Sequence, residues 1–241
     1  MADSALTVAQ NFADAVGFTR PTTLLNNPSD DIRQLVALIN QAGKDLASRH
    51  NWQSMTFEAT FVTAATESQG TLSSIIGASQ VLKKVLDETI WDRTRKLPIY
   101  GPLSPKVWQS YKALTLTGPV PQYRVRNNQI IFNPVPAAGH NCYFEYVSKC
   151  WCTDLTGTTF QLNLNADSDL FIIDSDLLTA GLEWRWLRKK GLSYAEEFAS
   201  YENLVSAAIT NEKPHATLKM DEGKMDMQPG VFVPIGSWLQ P

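Results

Sequence analysis

Two helical stripes open the chain. Residues 4–16 place Leu6, Ala9, Phe12, Ala13 and Val16 at spacings of three and four, one apolar face that Gly17 can end. After the turn-forming Asn26-Asn27-Pro28-Ser29, the same period returns in Ile32, Leu35, Val36, Ile39, Ala42 and Leu46. Ser29 is placed to cap that second helix, and Asp30 and Asp31 suit the positive end of its dipole. His50-Asn51-Trp52 breaks the period.

From Met55 the spacing drops to two. Met55, Phe57, Ala59 and Phe61 fall on one face and Thr56, Glu58 and Thr60 on the other, which predicts a strand with one wet face. Five prolines between 97 and 121 (Pro98, Pro102, Pro105, Pro119, Pro121) predict mainly loop, with one helical turn around Lys106–Ala113. Tyr123–Phe132 reads as a hairpin turning at Asn127-Asn128, because asparagine tolerates the positive φ such a turn requires. Cys142–Val147 and Thr158–Leu164 are further strand candidates.

Residues 177–190 are apolar almost all round, with Leu177, Leu178, Leu182, Trp184, Trp186 and Leu187, until the basic end Arg188-Lys189-Lys190 and the stop at Gly191. Ser193 and Glu196 have capping-box spacing, and Tyr194, Phe198, Tyr201, Val205 and Ala208 continue a helical stripe. Neither helical half can bury its stripe alone. The pattern therefore predicts an α+β fold: residues 1–52 and 174–212 as one helical bundle, residues 53–173 as an inserted β-rich subdomain, and residues 213–241 as an extended C-terminal tail. The tail turns apolar near its end at Val231, Phe232, Val233, Ile235, Trp238 and Leu239, and such a segment docks on its own domain or on another chain.

At 44% hydrophobic and 19% charged residues, the composition is that of a folded protein. Met1–Gly17 has no basic start before an apolar core, and no run is long enough to span a bilayer, so synthesis in a cytoplasm and no membrane contact are expected. The net charge of -3 hides a pattern: the balance is -3 over residues 1–82, +6 over 83–126 and -6 over 127–241. Lys83, Lys84, Arg93, Arg95 and Lys96 begin the basic block and are candidates for a subunit or tail interface.

Catalytic constellations are not found. His50, His140 and His215 stand far apart, and Cys150 and Cys152 lack the spacing of a redox or zinc motif. The acidic run Asp167, Asp169, Asp174 and Asp176 has Phe171 and Ile172 where a calcium loop needs an oxygen ligand and a glycine, so it is expected to lead into and cap the next helix. There is no phosphate loop, dinucleotide fingerprint or serine elbow. No catalytic residue, cofactor or metal is expected.

Three stretches taken together carry a resemblance: LPIYGPLSPKVWQSYKA at 97–113, QIIFNPVPAAGHNCYFEYVSKCWC at 129–152, and DSDLLTAGLEWRWLRKKGLSYAEEFASYENLVSAAI at 174–209. With the helical start and Trp52, they resemble the head-to-tail adaptors of tailed bacteriophages, of the tail tubular protein A type found in short-tailed phages. That resemblance implies a structural protein of the capsid neck. It implies a dodecameric, twelve-fold ring of itself, bound to the portal protein above and to a tail nozzle or tail tube protein below, with DNA passing through without specific binding. Val231, Phe232, Val233, Ile235, Trp238 and Leu239 are then candidates for the portal contact. Their burial, at about 1.5–3 kcal/mol each, roughly balances the ordering of about ten residues, so tethering would rest on many tails acting together. Two other functions fit the residues: a head-completion protein that closes the portal, and a single-stranded nucleic-acid binder that stacks bases on Tyr100, Trp108, Tyr111 and Tyr123 between Lys106, Lys112, Arg124 and Arg126.

Overall fold

The computed structural model describes residues 3–114 and 121–212. The apolar tail residues Val231, Phe232, Val233, Ile235, Trp238 and Leu239, and His215, lie outside the described residues. The chain starts with helices α1 (Ala5–Val16) and α2 (Asp30–Arg49). A mixed middle follows: β1 (Thr56–Val62), β2 (Ser68–Thr71), α3 (Leu72–Ile76), β3 (Leu82–Val85), β4 (Trp91–Asp92), β5 (Leu97–Pro98) and α4 (Pro105–Leu114). Next come β6 (Gln122–Arg126), β7 (Gln129–Asn133), β8 (Asn141–Ser148), β9 (Cys152–Thr153), β10 (Phe160–Gln161) and β11 (Leu170–Phe171), and then α5 (Ser175–Lys190) and α6 (Ala195–Glu212). The fold is α+β.

Helix ends follow local chemistry. The Ser4 hydroxyl accepts from the Thr7 amide at 3.2 Å to start α1, and Gly17 ends it at φ 82°, a left-handed conformation that glycine adopts without strain. Ser29 occupies the cap position of α2 but its hydroxyl makes no capping bond, contrary to expectation; the Ser29 amide instead donates to Asn27 Oδ1 at 3.0 Å, which fixes the turn before the helix. Asp174 caps α5 through the Asp176 amide, as expected of the acidic run. The Ser193–Glu196 capping box does not form: α6 starts at Ala195, with the Tyr194 carbonyl accepting from the Phe198 amide at 2.9 Å.

Helix α4 is the larger correction. It covers ten residues where one turn was expected. Pro105 does not break it, because proline at the first helical position loses no helical hydrogen bond, and the next proline is Pro119. The expected strand at Thr158–Leu164 shrinks to Phe160–Gln161.

Two buried clusters organise the molecule. In the first, α5 touches α1, α2 and α6, and Phe12, Leu35, Ile39, Leu46, Leu178, Leu182 and Tyr201 are almost fully buried. Trp151, Cys152, Leu164, Phe171 and Ile173, from the small sheet β10-β9-β11 and its surroundings, pack with these helices. The second cluster lies between two sheets. Strand β8 pairs with β1 from Thr56↔Val147 to Val62↔Asn141, and its other edge is shared by β3 and β4. The sheet β2-β7-β6 faces it, with the expected turn at Asn127 (φ 50°) and Asn128 (φ 56°). Ala59, Phe61, Phe144 and Tyr146 meet Tyr123, Ile130 and Phe132 between the sheets, and the Phe61 and Phe132 rings lie 6.1 Å apart.

Candidate interaction surfaces

Among the described residues, no group of three or more histidine, cysteine, aspartate or glutamate side chains is arranged to hold a metal ion. His50 rests edge-on against Trp52, and His140 Nδ1 lies 2.8 Å from Asp92. Cys142, Cys150 and Cys152 are free and buried, and burial pushes the Cys142 and Cys152 thiols up to about 12, where almost no thiolate exists at neutral pH. Asp167 accepts the Leu24 and Leu25 amides, and the buried Asp169 accepts those of Asn165 and Ala166. These carboxylates fasten loops.

The basic candidates separate once they are placed. Lys83 is turned inward from β3: its Nζ donates to the Ala47 and His50 carbonyls at 2.7 Å each, satisfying the C-terminal end of α2, and burial lowers its pKa. Lys84 pairs with Asp87 at 2.9 Å on the surface. Arg93 pairs with Glu58 and lies 3.6 Å over the Tyr143 ring. Arg95 and Lys96 are exposed beyond β4, and neither makes an ion pair among the described residues. The fold therefore does not present the five as one patch.

The base-stacking platform is not assembled. Trp108 and Tyr123 are buried, and the Tyr123 hydroxyl is pushed up to about 12 by that burial. Tyr100 is half exposed and Tyr111 partly exposed, and Lys112 is engaged by Glu67 at 2.7 Å. Spacing alone could not show this, because alternate positions of a strand lie on opposite faces and Tyr123 occupies the inner one.

Two surfaces were missed by the sequence reading. On the outer face of the sheet containing β1, β4 and β8, a groove of about 300 Å³ is lined by Glu58, Glu88, Trp91, Arg93, Tyr143 and Glu145. Its members are distant in sequence, and only the β1–β8 register brings Glu58 opposite Glu145. Around α6, Leu192, Tyr194, Phe198 and Leu204 are exposed, although Phe198 still meets the Trp184 ring edge-on. The stripe read for this helix is thus buried only from Tyr201 onward.

A family model described as SU10 adaptor protein matches residues 10–224. The chain belongs to this family. The match takes in the second buried cluster and all of the first except Ala5, Val8 and Ala9, and the family is one of phage adaptor proteins, consistent with a head-to-tail adaptor. The adaptor is accordingly a structural component of a virion that associates with other head and tail parts, and its family is not an enzyme family. No curated protein matches it. No helix among the described residues is long and apolar enough to cross a membrane.

Proposed function

We propose that this adaptor forms a ring, dodecameric by resemblance, between the portal and the tail nozzle or tube, and that the ring forms part of the channel through which DNA leaves the head. The observation that carries the reading is the family match over residues 10–224. In this reading residues 1–52 and 174–212 act as one helical unit, 53–173 as an inserted unit, and 213–241 as the tail. Side chains lining the channel are neutral or acidic, because a lysine-studded wall would hold the phosphate backbone. Lys84, Arg95 and Lys96 face a neighbouring subunit or a tail component. The apolar tail residues Val231, Phe232, Val233, Ile235, Trp238 and Leu239 tether the ring to the portal.

Electron microscopy of intact particles tests the whole: ring density at the capsid neck with an uncharged or acidic lumen is expected, and its absence sinks the reading. Deleting residues 229–241 tests the tether. The truncated chain should fold yet fail to join filled heads, and heads that acquire tails at normal yield would end the assignment.

A further inference from the structure

The second helix of the α5–α6 hairpin is only partly covered. Tyr201 and Val205 are its buried residues, whereas Ala195, Glu196, Phe198, Ala199 and Ser200 in its first half are exposed. The turn that leads into it is open as well: Leu192 is 57% exposed, and Tyr194 and Phe198 are 37% exposed each. Both rings belong to one aromatic cluster, with the Trp184 ring 6.4 Å from Tyr194 and 5.1 Å from Phe198. Trp184 itself is buried, yet its indole N–H has no acceptor among the described residues. Buried donors are normally paired, so the packing around this cluster is incomplete as it stands. Open aromatic rings of this kind suit an extended, proline-containing apolar segment.

Such a segment follows on the same chain. After α6 ends at Glu212, the mainly polar residues 213–230 lead to Val231, Phe232, Val233, Pro234, Ile235, Trp238 and Leu239. Glu212 fixes the root of that stretch: its carboxylate accepts from the Gln53 amide at 3.3 Å and its carbonyl from Gln53 Nε2 at 3.1 Å. Phe198 lies about 21 Å back along the helix from Glu212, at 1.5 Å per residue. A coil of about 18 residues, the length of 213–230, spans roughly 21–25 Å in root-mean-square terms. The two lengths match, which is the condition for the highest local concentration of a tethered group.

We propose that, until the portal is met, residues 231–239 lie on the Trp184–Tyr194–Phe198 cluster of their own chain. The proposal rests on the reading of residues 213–241 as a tether and gives that tether a resting place, from which the portal draws it. At a local concentration on the order of 1 mM, even a contact with a Kd of about 0.1 mM is occupied roughly nine-tenths of the time.

Ellman's reagent applied to the full chain bearing Ser237→Cys, without portal, tests the docking, because Cys142, Cys150 and Cys152 are buried. The added thiol should react roughly ten-fold more slowly than the same thiol in a free peptide of residues 229–241, whatever the protein concentration. Tyr194→Asp/Phe198→Asp should bring back the peptide's rate, with the three native thiols still unreactive as the sign of an intact fold. Leu192→Asp, at the most exposed of the three positions, disturbs the fold least and should raise the rate in the same direction. The peptide's rate without these substitutions, or a slow rate that survives them, would overturn the docking. Slowing that deepens with protein concentration would give the cluster to the tail of a second copy and overturn it equally. None of these results bears on the tether, which the filled-head assay reads with the portal present.

Discussion

Asp45→Ala should be the most damaging exposed-edge substitution in the helical part of the molecule. The carboxylate of Asp45 on α2 accepts from Arg49 Nε at 2.9 Å, from the Arg185 guanidinium on α5 at 2.8 Å, and from the Tyr201 hydroxyl on α6 at 3.2 Å. Arg185 is 5% exposed, and without Asp45 it keeps only the Gly181 carbonyl at 2.7 Å and the Trp184 and Tyr201 rings. Removing one partner of a buried pair costs about 3–5 kcal/mol. The Asp45 side chain is 32% exposed, so water reaches it and the expected loss falls to about 2–4 kcal/mol. For a chain of this length that corresponds to a fall in Tm of roughly 5–15 °C. Urea unfolding of Asp45→Ala, Arg185→Met and the double variant measures the coupling. The double variant should regain most of the loss, because a packed apolar side chain leaves no charge without a partner. A coupling within about 0.5 kcal/mol of zero would refute the claim that these groups act as a unit.

Four further outcomes are expected. Gly43→Ala, which in an open helix would stabilise by about 1 kcal/mol, should instead destabilise by about 1–3 kcal/mol, because its Cβ would meet the Trp151 ring at 2.3 Å; a raised Tm would contradict the packing. Lys83→Met should cost about 1–2 kcal/mol by leaving the Ala47 and His50 carbonyls unpaired, and amide exchange should quicken in the last turn of α2 before that of α1. All three thiols should resist Ellman's reagent in the native protein and react together on denaturation; fast reaction of any one in the fold would refute its burial. Asp154 has its pKa depressed below 3.8 by the Thr156 hydroxyl and the Thr159 and Thr158 amides, so the loop order it provides is complete above the ordinary carboxylate range and fades as pH falls through the depressed value. Thr158 and Thr159 amide protection that is unchanged by Asp154→Ala at neutral pH would show that the carboxylate does not hold the loop.

Local chemistry reached the sequence reader with little loss. Apolar spacings located α1, α2, α5 and α6, two asparagines announced the β6–β7 turn, and Gly17 and Gly191 announced helix ends, because each depends on neighbours within about a turn of chain. The family resemblance also lay in linear stretches, and the match over residues 10–224 bears it out. The hydroxyl caps at Ser29 and Ser193 did not form, since spacing allows a cap but backbone direction at the junction decides it. What each charge does was settled in three dimensions. Lys83 and Arg93 look alike in the basic block, yet one closes the end of α2 and the other answers Glu58 beside Tyr143, because a strand's register fixes which face, and so which neighbour, a side chain meets. The opposition of Glu58 and Glu145 joins strands far apart in the chain, and no linear pattern encodes a pairing that closes only when the sheet forms.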